Sequence, residues 1–146
     1  IINKFKGKGY FKRAKIRPGK PILFSKITSK TAFFGLPGNP VSTAACFRFF
    51  VLPFIFKSAE YSGDVPIKAK LKNKFIKKKD FTRFIKGKLT ISKQGYSEFK
   101  IFKGQESYKI KPLTHSNIWG QFKNGQSTFK KGDIINCHTT FGVNFF

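Results

Sequence analysis

The chain has 146 residues, 40% apolar and 17% aromatic, which is enough to bury a core and excludes wholesale disorder. Thirty Lys and Arg against six Asp and Glu give a formal charge of +24, which invites a nucleic-acid reading. That reading is discounted, because only four of the cations are Arg, the residue suited to bidentate base contacts, and the abundant Lys, Phe, Ile and Asn share A- and T-rich codons. A Lys-rich solvated surface is expected, one that draws small anions to any cleft.

The opening, Ile1-Ile2-Asn3-Lys4-Phe5, lacks the apolar region of a signal peptide, and the chain contains no Met. The expectation is a chain that begins inside a longer, cytoplasmic protein. Tyr10 to Ile16 reads as a strand that runs into Arg17-Pro18-Gly19-Lys20-Pro21, a turn by its Pro and Gly content. Ile22 to Phe24 and Thr31 to Phe34 read as short strands joined by a mostly polar connection. Asn39 is a good N-cap and Pro40 suits a first helical position, so a helix is expected from about Pro40 to Ser58, kinked near Pro53. Its most apolar part, Val41 to Phe56, is interrupted by Arg48 and Pro53, and no run of about 18 apolar residues exists, so a membrane span is not expected.

Tyr61 to Pro66 has the composition of a linker. The expected division is residues 1–60, a linker at 61–66, and residues 67–146. Ile67 to Lys72 alternates apolar and basic residues, a strand with one wet face. Phe81 to Lys86, Lys88 to Ser92, Glu98 to Phe102 and Asp133 to Cys137 read as further short strands. Turn signals fall at Gly87, Gly95, Gly104, Gly120, Gly125 and Gly132, the pattern of a small β-barrel or sandwich. Cys46 and Cys137 lie far apart without CxxC spacing, so two unpaired buried thiols are expected and no zinc site. His115 and His138 each lack a second ligand at useful spacing and read as structural.

The stretch with chemistry in it is the strand, the Gly35-Leu36-Pro37-Gly38-Asn39-Pro40-Val41-Ser42 loop and the helix after it. Such a loop lets backbone approach a ligand, and the helix start offers free N–H groups and the hydroxyl of Ser42, a site for phosphate or another oxyanion. The alternative is a connection that merely needs those dihedrals, and local physics leaves the two open.

Arg17-Pro18-Gly19-Lys20-Pro21 followed by Gly35 to Ser42 resembles the paired KPGKP and GLPGNPVS signatures of the molybdopterin molybdenumtransferases, the MoeA and gephyrin E-domain family. Phe50-Val51-Leu52-Pro53, Asp80-Phe81-Thr82-Arg83, Gly104-Gln105-Glu106-Ser107 and Lys131-Gly132-Asp133 resemble further family elements, in order, so that the resemblance covers Tyr10 to Phe141. It implies the strand–loop–helix end of a molybdopterin-binding-like α/β domain followed by a small C-terminal β-barrel. It implies a part of an enzyme that inserts molybdenum from molybdate into adenylylated molybdopterin, with magnesium and release of AMP, as a homodimer.

By that resemblance Arg17, Lys20, Pro37, Gly38, Asn39, Pro40, Ser42, Arg83 and Ser107 would bind the anionic substrates. Arg17 departs from the family's lysine, keeping the charge and changing its geometry. The blander readings are a surface lysine for Lys20, an ion pair with Asp80 for Arg83 and a turn serine for Ser107. No catalytic residue is assigned. The magnesium carboxylates of the family are expected upstream, with none in this chain. The rival readings are a non-catalytic binding or scaffold module of the same fold and a basic nucleic-acid-binding barrel.

Overall fold

The computed structural model describes residues 7–140. The opening residues read for a leader segment, and the end of the expected barrel domain at 141–146, lie outside the described residues.

Alternation makes the barrel. In β5 (Ile67–Leu71) Ala69 and Leu71 are buried while Lys68 and Lys70 face water. It lies between β8 (Ser97–Ile101) and β11 (Ile134–Thr139), and β11 pairs on with β9 (Ile118–Phe122). The strand β7 (Thr82–Ile91) closes the ring: its Arg83–Gly87 half pairs with β9 and its Gly87–Ile91 half pairs with β8. A short hairpin-like pair, β6 (Phe75–Ile76) and β10 (Thr128–Phe129), caps the core and brings Phe75 and Phe129 against Phe122.

Two expectations change here. Phe81 to Lys86 and Lys88 to Ser92 are one strand, and Gly87 and Gly120 lie inside strands instead of in turns. The reason is Phe99, fully buried at the barrel centre. A Cβ on Gly87 would sit 2.4 Å from its ring, and one on Gly120 would sit 2.6 Å from it. The glycines are places left empty for an aromatic ring.

Residues ahead of the barrel form an antiparallel sheet in the order β1 (Lys8–Phe11), β3 (Leu23–Lys26), β4 (Ala32–Gly35). The single strand expected over Tyr10 to Ile16 is broken. The register shifts between Gly9 and Phe11, Ala14 N–H donates to Lys20 O at 3.0 Å, and β2 (Ile16–Arg17) leaves to pair parallel with Thr82 and Arg83 of β7.

The helix Pro40–Ser58 follows, and the kink expected near Pro53 takes the form of a π-helical turn, Phe47–Val51, just ahead of it. By length and composition alone this helix is long and apolar enough to cross a bilayer, with its apolar run interrupted at Arg48 and Pro53. The charge of Arg48 is internal to the fold. Arg48 is 2% exposed, its Nε donates to Thr139 O at 2.6 Å, and its guanidinium pairs with Asp64.

Asp64 comes from the stretch expected as a linker, so that stretch is anchored to the helix. A second core seats the helix: Ile16, Ile22, Val41, Ala45 and Cys46 pack on Phe84 and Trp119, which point out of the barrel wall. Phe49 stacks on Phe84 with ring centroids 3.6 Å apart. His115 and His138 stay apart from any cluster of ligands, and among the described residues no group of three or more His, Cys, Asp or Glu comes together.

Two outcomes follow from this packing. Gly87→Ala and Gly120→Ala should each lower unfolding free energy by roughly 1–3 kcal/mol in urea titrations, because the added methyl overpacks Phe99. Gly63→Ala, where nothing lies within 4 Å of the added carbon, should change it little. The second concerns His138, whose Nδ1 lies 3.7 Å from Asp64. Burial lowers its pKa from the ordinary value and Arg48 lowers it further, against the pull of Asp64. The unfolded chain therefore takes up this proton first, so stability should fall as pH drops below about 6.5, until the folded group is also protonated. Unfolding titrations between about pH 7 and 5.5 should show a shallower slope for His138→Gln.

Candidate functional site

Three segments meet in one cleft. The first is the turn after β2. Arg17–Pro18 is a cis peptide and Gly19 has φ +103°, a conformation that favours glycine. A Cβ on Gly19 would lie 2.5 Å from Cys46 Sγ, and that thiol donates to Gly19 O at 3.3 Å, so the turn rests directly on the helix. Arg17 and Lys20 are exposed and both lie over the ring of Phe81, at 5.1 Å and 5.6 Å from its centroid.

The second segment is the loop from β4 into the helix. Asn39 caps it, accepting from Ser42 N–H at 3.3 Å, and Thr43 Oγ1 donates to Pro37 O and to Asn39 O. Those bonds turn Pro37, Gly38 and Asn39 toward the same cleft that Ser42 lines. The third segment runs through residues 102–108, where Gly104 has φ +80° and Ser107 is half-buried.

Arg83 joins the three. It is the register partner of Arg17, one strand over, and it lines the cleft. Its Nε is buried without a hydrogen-bond partner, and among the described residues it makes no ion pair, with Asp80 or any other carboxylate. Burial, and then the neighbouring Arg17, push its pKa below the usual arginine range. Two guanidiniums side by side without a counter-charge favour an anion between them.

The cleft has a volume of about 1180 Å³. Arg17, Lys20, Asn39, Ser42, Arg83 and Ser107 all line it, together with Pro37 and Gly38. Pro40 does not: it occupies the first helical position, just past the loop. Phe102, Lys103, Glu106 and Tyr108 complete the wall. The sequence signals these only through the turn at Gly104-Gln105-Glu106-Ser107, since irregular backbone carries no hydrophobic period. The buried thiols take no part in this chemistry, for burial pushes Cys46 up to about 11 and Cys137 up to about 12.

Magnesium does not fit this donor set. Among the described residues Glu106 is the one carboxylate on the cleft wall, it pairs with Lys109 at 3.3 Å, and Arg17, Lys20, Lys103 and Arg83 make the rest of the wall strongly positive.

Comparisons with known proteins bear on the family. A family model described as a probable molybdopterin binding domain matches residues 1–57. The molybdopterin molybdenumtransferase of Synechocystis sp. is 30% identical over 120 residues, covering 82% of this chain and 28% of the relative. That of a Staphylococcus epidermidis strain is 30% identical over 138 residues, covering 92% of this chain and 32% of the relative. Among solved structures, a molybdenum cofactor biosynthesis protein from Pyrococcus furiosus superposes with a TM-score of 0.73 at 21% identity, over 90% of this chain and 45% of that one. The chain thus spans about a third of the length of the curated relatives it matches. On these matches the chain belongs to the molybdopterin molybdenumtransferase (MoeA) family.

Proposed function

We propose that this chain supplies the anion-binding wall of a site in which molybdenum from molybdate enters adenylylated molybdopterin, in molybdenum cofactor biosynthesis. The observation that carries the reading is Arg83: a partly buried guanidinium, unpaired among the described residues, next to Arg17 in a cleft shared with Lys20 and the Asn39-capped helix start. Molybdate is a tetrahedral dianion and the pterin bears a phosphate. Both call for charge-assisted donors fixed in place, and neither needs a nucleophile from this wall. Arg83 and Arg17 would hold an oxyanion between them, Lys20 would add a third cation, and the helix start would orient the group by its free N–H donors. In this reading the magnesium ligands come from polypeptide outside this chain, and a homodimer shares the cleft.

Titration calorimetry with sodium molybdate in dilute buffer tests the wall directly. Arg83→Gln and Lys20→Gln should each weaken binding by about tenfold or more, the worth of a charge-assisted contact. Lys68→Gln and Lys88→Gln remove the same charge from exposed strand positions of the barrel and should leave affinity within about twofold. Equal loss at all four positions would mean that bulk charge does the binding. A second expectation follows from the cleft's single, already paired carboxylate. Mixed with adenylylated molybdopterin, magnesium and molybdate, this chain by itself should release no AMP above background, and steady release would show a hydrolytic centre of its own.

A further inference from the structure

Most of the lysines of this chain are solvated, but Lys86 is 1% exposed, in the middle of the strand that closes the barrel. A buried ammonium is costly unless its donors are all used. Here they are: Lys86 Nζ donates to Gly104 O at 3.4 Å, to Glu106 O at 3.3 Å and to Lys109 O at 3.2 Å. All three acceptors belong to the loop that follows β8, and none to the barrel strands. The backbone of the same residue grips that loop again. Lys86 N–H donates to Gln105 Oε1 at 3.0 Å, and Gln105 Nε2 donates to Lys86 O at 2.8 Å and to Phe102 O at 2.7 Å. The Gln105 amide thus takes the place that a neighbouring strand would take.

We propose that Lys86 is a positioning residue for the cleft: its buried ammonium gathers the 102–109 loop and so fixes the wall that brings Ser107 into the cleft of Arg17 and Arg83. This rests on the anion-binding reading above. The loop has few contacts of its own to hold it. Among the described residues its internal bonds are Lys109 N–H to Glu106 O at 3.1 Å, the Lys109–Glu106 ion pair on its exposed side, and the Gln105 amide to Phe102 O. Without a central cation, the carbonyls of Gly104, Glu106 and Lys109 lose the donor they converge on, and the loop can open. The barrel does not depend on this contact, because the β7 ladders and the Phe99 packing close it independently. The charge of Glu106 favours the ammonium form of Lys86, while burial and then Arg83 disfavour it, with burial the largest of the three.

The test combines hydrogen–deuterium exchange with molybdate calorimetry on the whole chain. Lys86→Met keeps the length of the side chain and removes the charge. It should raise exchange of the 102–109 amides by roughly tenfold while the β5, β9 and β11 amides stay as they are, and weaken molybdate by about tenfold. Lys86→Arg, of nearly the same volume, keeps a buried cation with several donors and should bring both readouts back to within about threefold of the parent. The proposal is overturned if Lys86→Met leaves loop exchange and affinity unchanged, if it loosens barrel and loop alike, or if Lys86→Arg loses as much as Lys86→Met. Should Lys86→Met fail to fold, Gln105→Ala carries the same test from the loop side: a loosened loop with weaker molybdate supports the proposal, and unchanged affinity sinks it. Arg83→Gln separates the two levels. If Arg83→Gln leaves affinity intact, the anion-binding reading has failed. If it weakens molybdate while Lys86→Met does not, only the positioning role has failed.

Discussion

The ring of Phe99 needs space at the centre of the barrel, and Gly87 and Gly120 provide it from two neighbouring strands. Much of the remaining architecture depends on that packing. With the ring seated at Gly87, β7 gives one half of its length to β9 and the other half to β8, which closes the five strands into a barrel. The first half of β7 also has an outer face. Phe84 and Trp119 project from this region into the second core, where the helix Pro40–Ser58 and the turn at Gly19 rest. Arg83 and Lys86, on that half-strand, are thereby placed at the base of the cleft and under its loop.

Three of the buried or half-buried cations show how differently the fold treats charge. Arg48 has a carboxylate from Asp64 and a carbonyl from Thr139, so it is satisfied, and losing Asp64 would leave a charge stranded inside the fold at a cost of roughly 3–5 kcal/mol. Lys86 has three carbonyls and no carboxylate in contact, which suffices because an ammonium has three N–H donors. Among the described residues Arg83 has neither: its Nε is buried without a partner, and its neighbour is another arginine. In a chain where Glu and Asp are scarce, the fold spends one of six on Arg48 and none on Arg83. An arginine without a counter-charge among the described residues, in a cleft that Asn39, Ser42 and Lys20 also line, is the basis of the anion-binding proposal.

A good part of this protein is local and therefore legible in the sequence. Asn39-Pro40 sets the start of a helix because an Asn cap and a proline first position act within one turn. The alternation of Ile67 to Lys72 sets a half-wet strand because side chains along a strand point to opposite faces. The Arg17–Pro21 turn and the Gly35–Ser42 loop carry their own backbone geometry in their Gly and Pro residues, and these same residues support the family resemblance. Other features were decided by contacts between distant segments. Gly87 and Gly120 resemble turn glycines until Phe99 is placed against both. Ile16–Arg17 continues a strand by its composition, yet joins β7 because Thr82 and Arg83 offer an open edge there. Asp64 has the composition of a linker residue and becomes the partner of a buried arginine. Lys86 is one lysine among many along the chain, and only the three carbonyls converging on it from residues 18 to 23 positions away distinguish it. Period and turn chemistry act over a few residues, whereas the loss of solvent around a charge, or of space around a ring, is fixed by whatever the rest of the chain packs there.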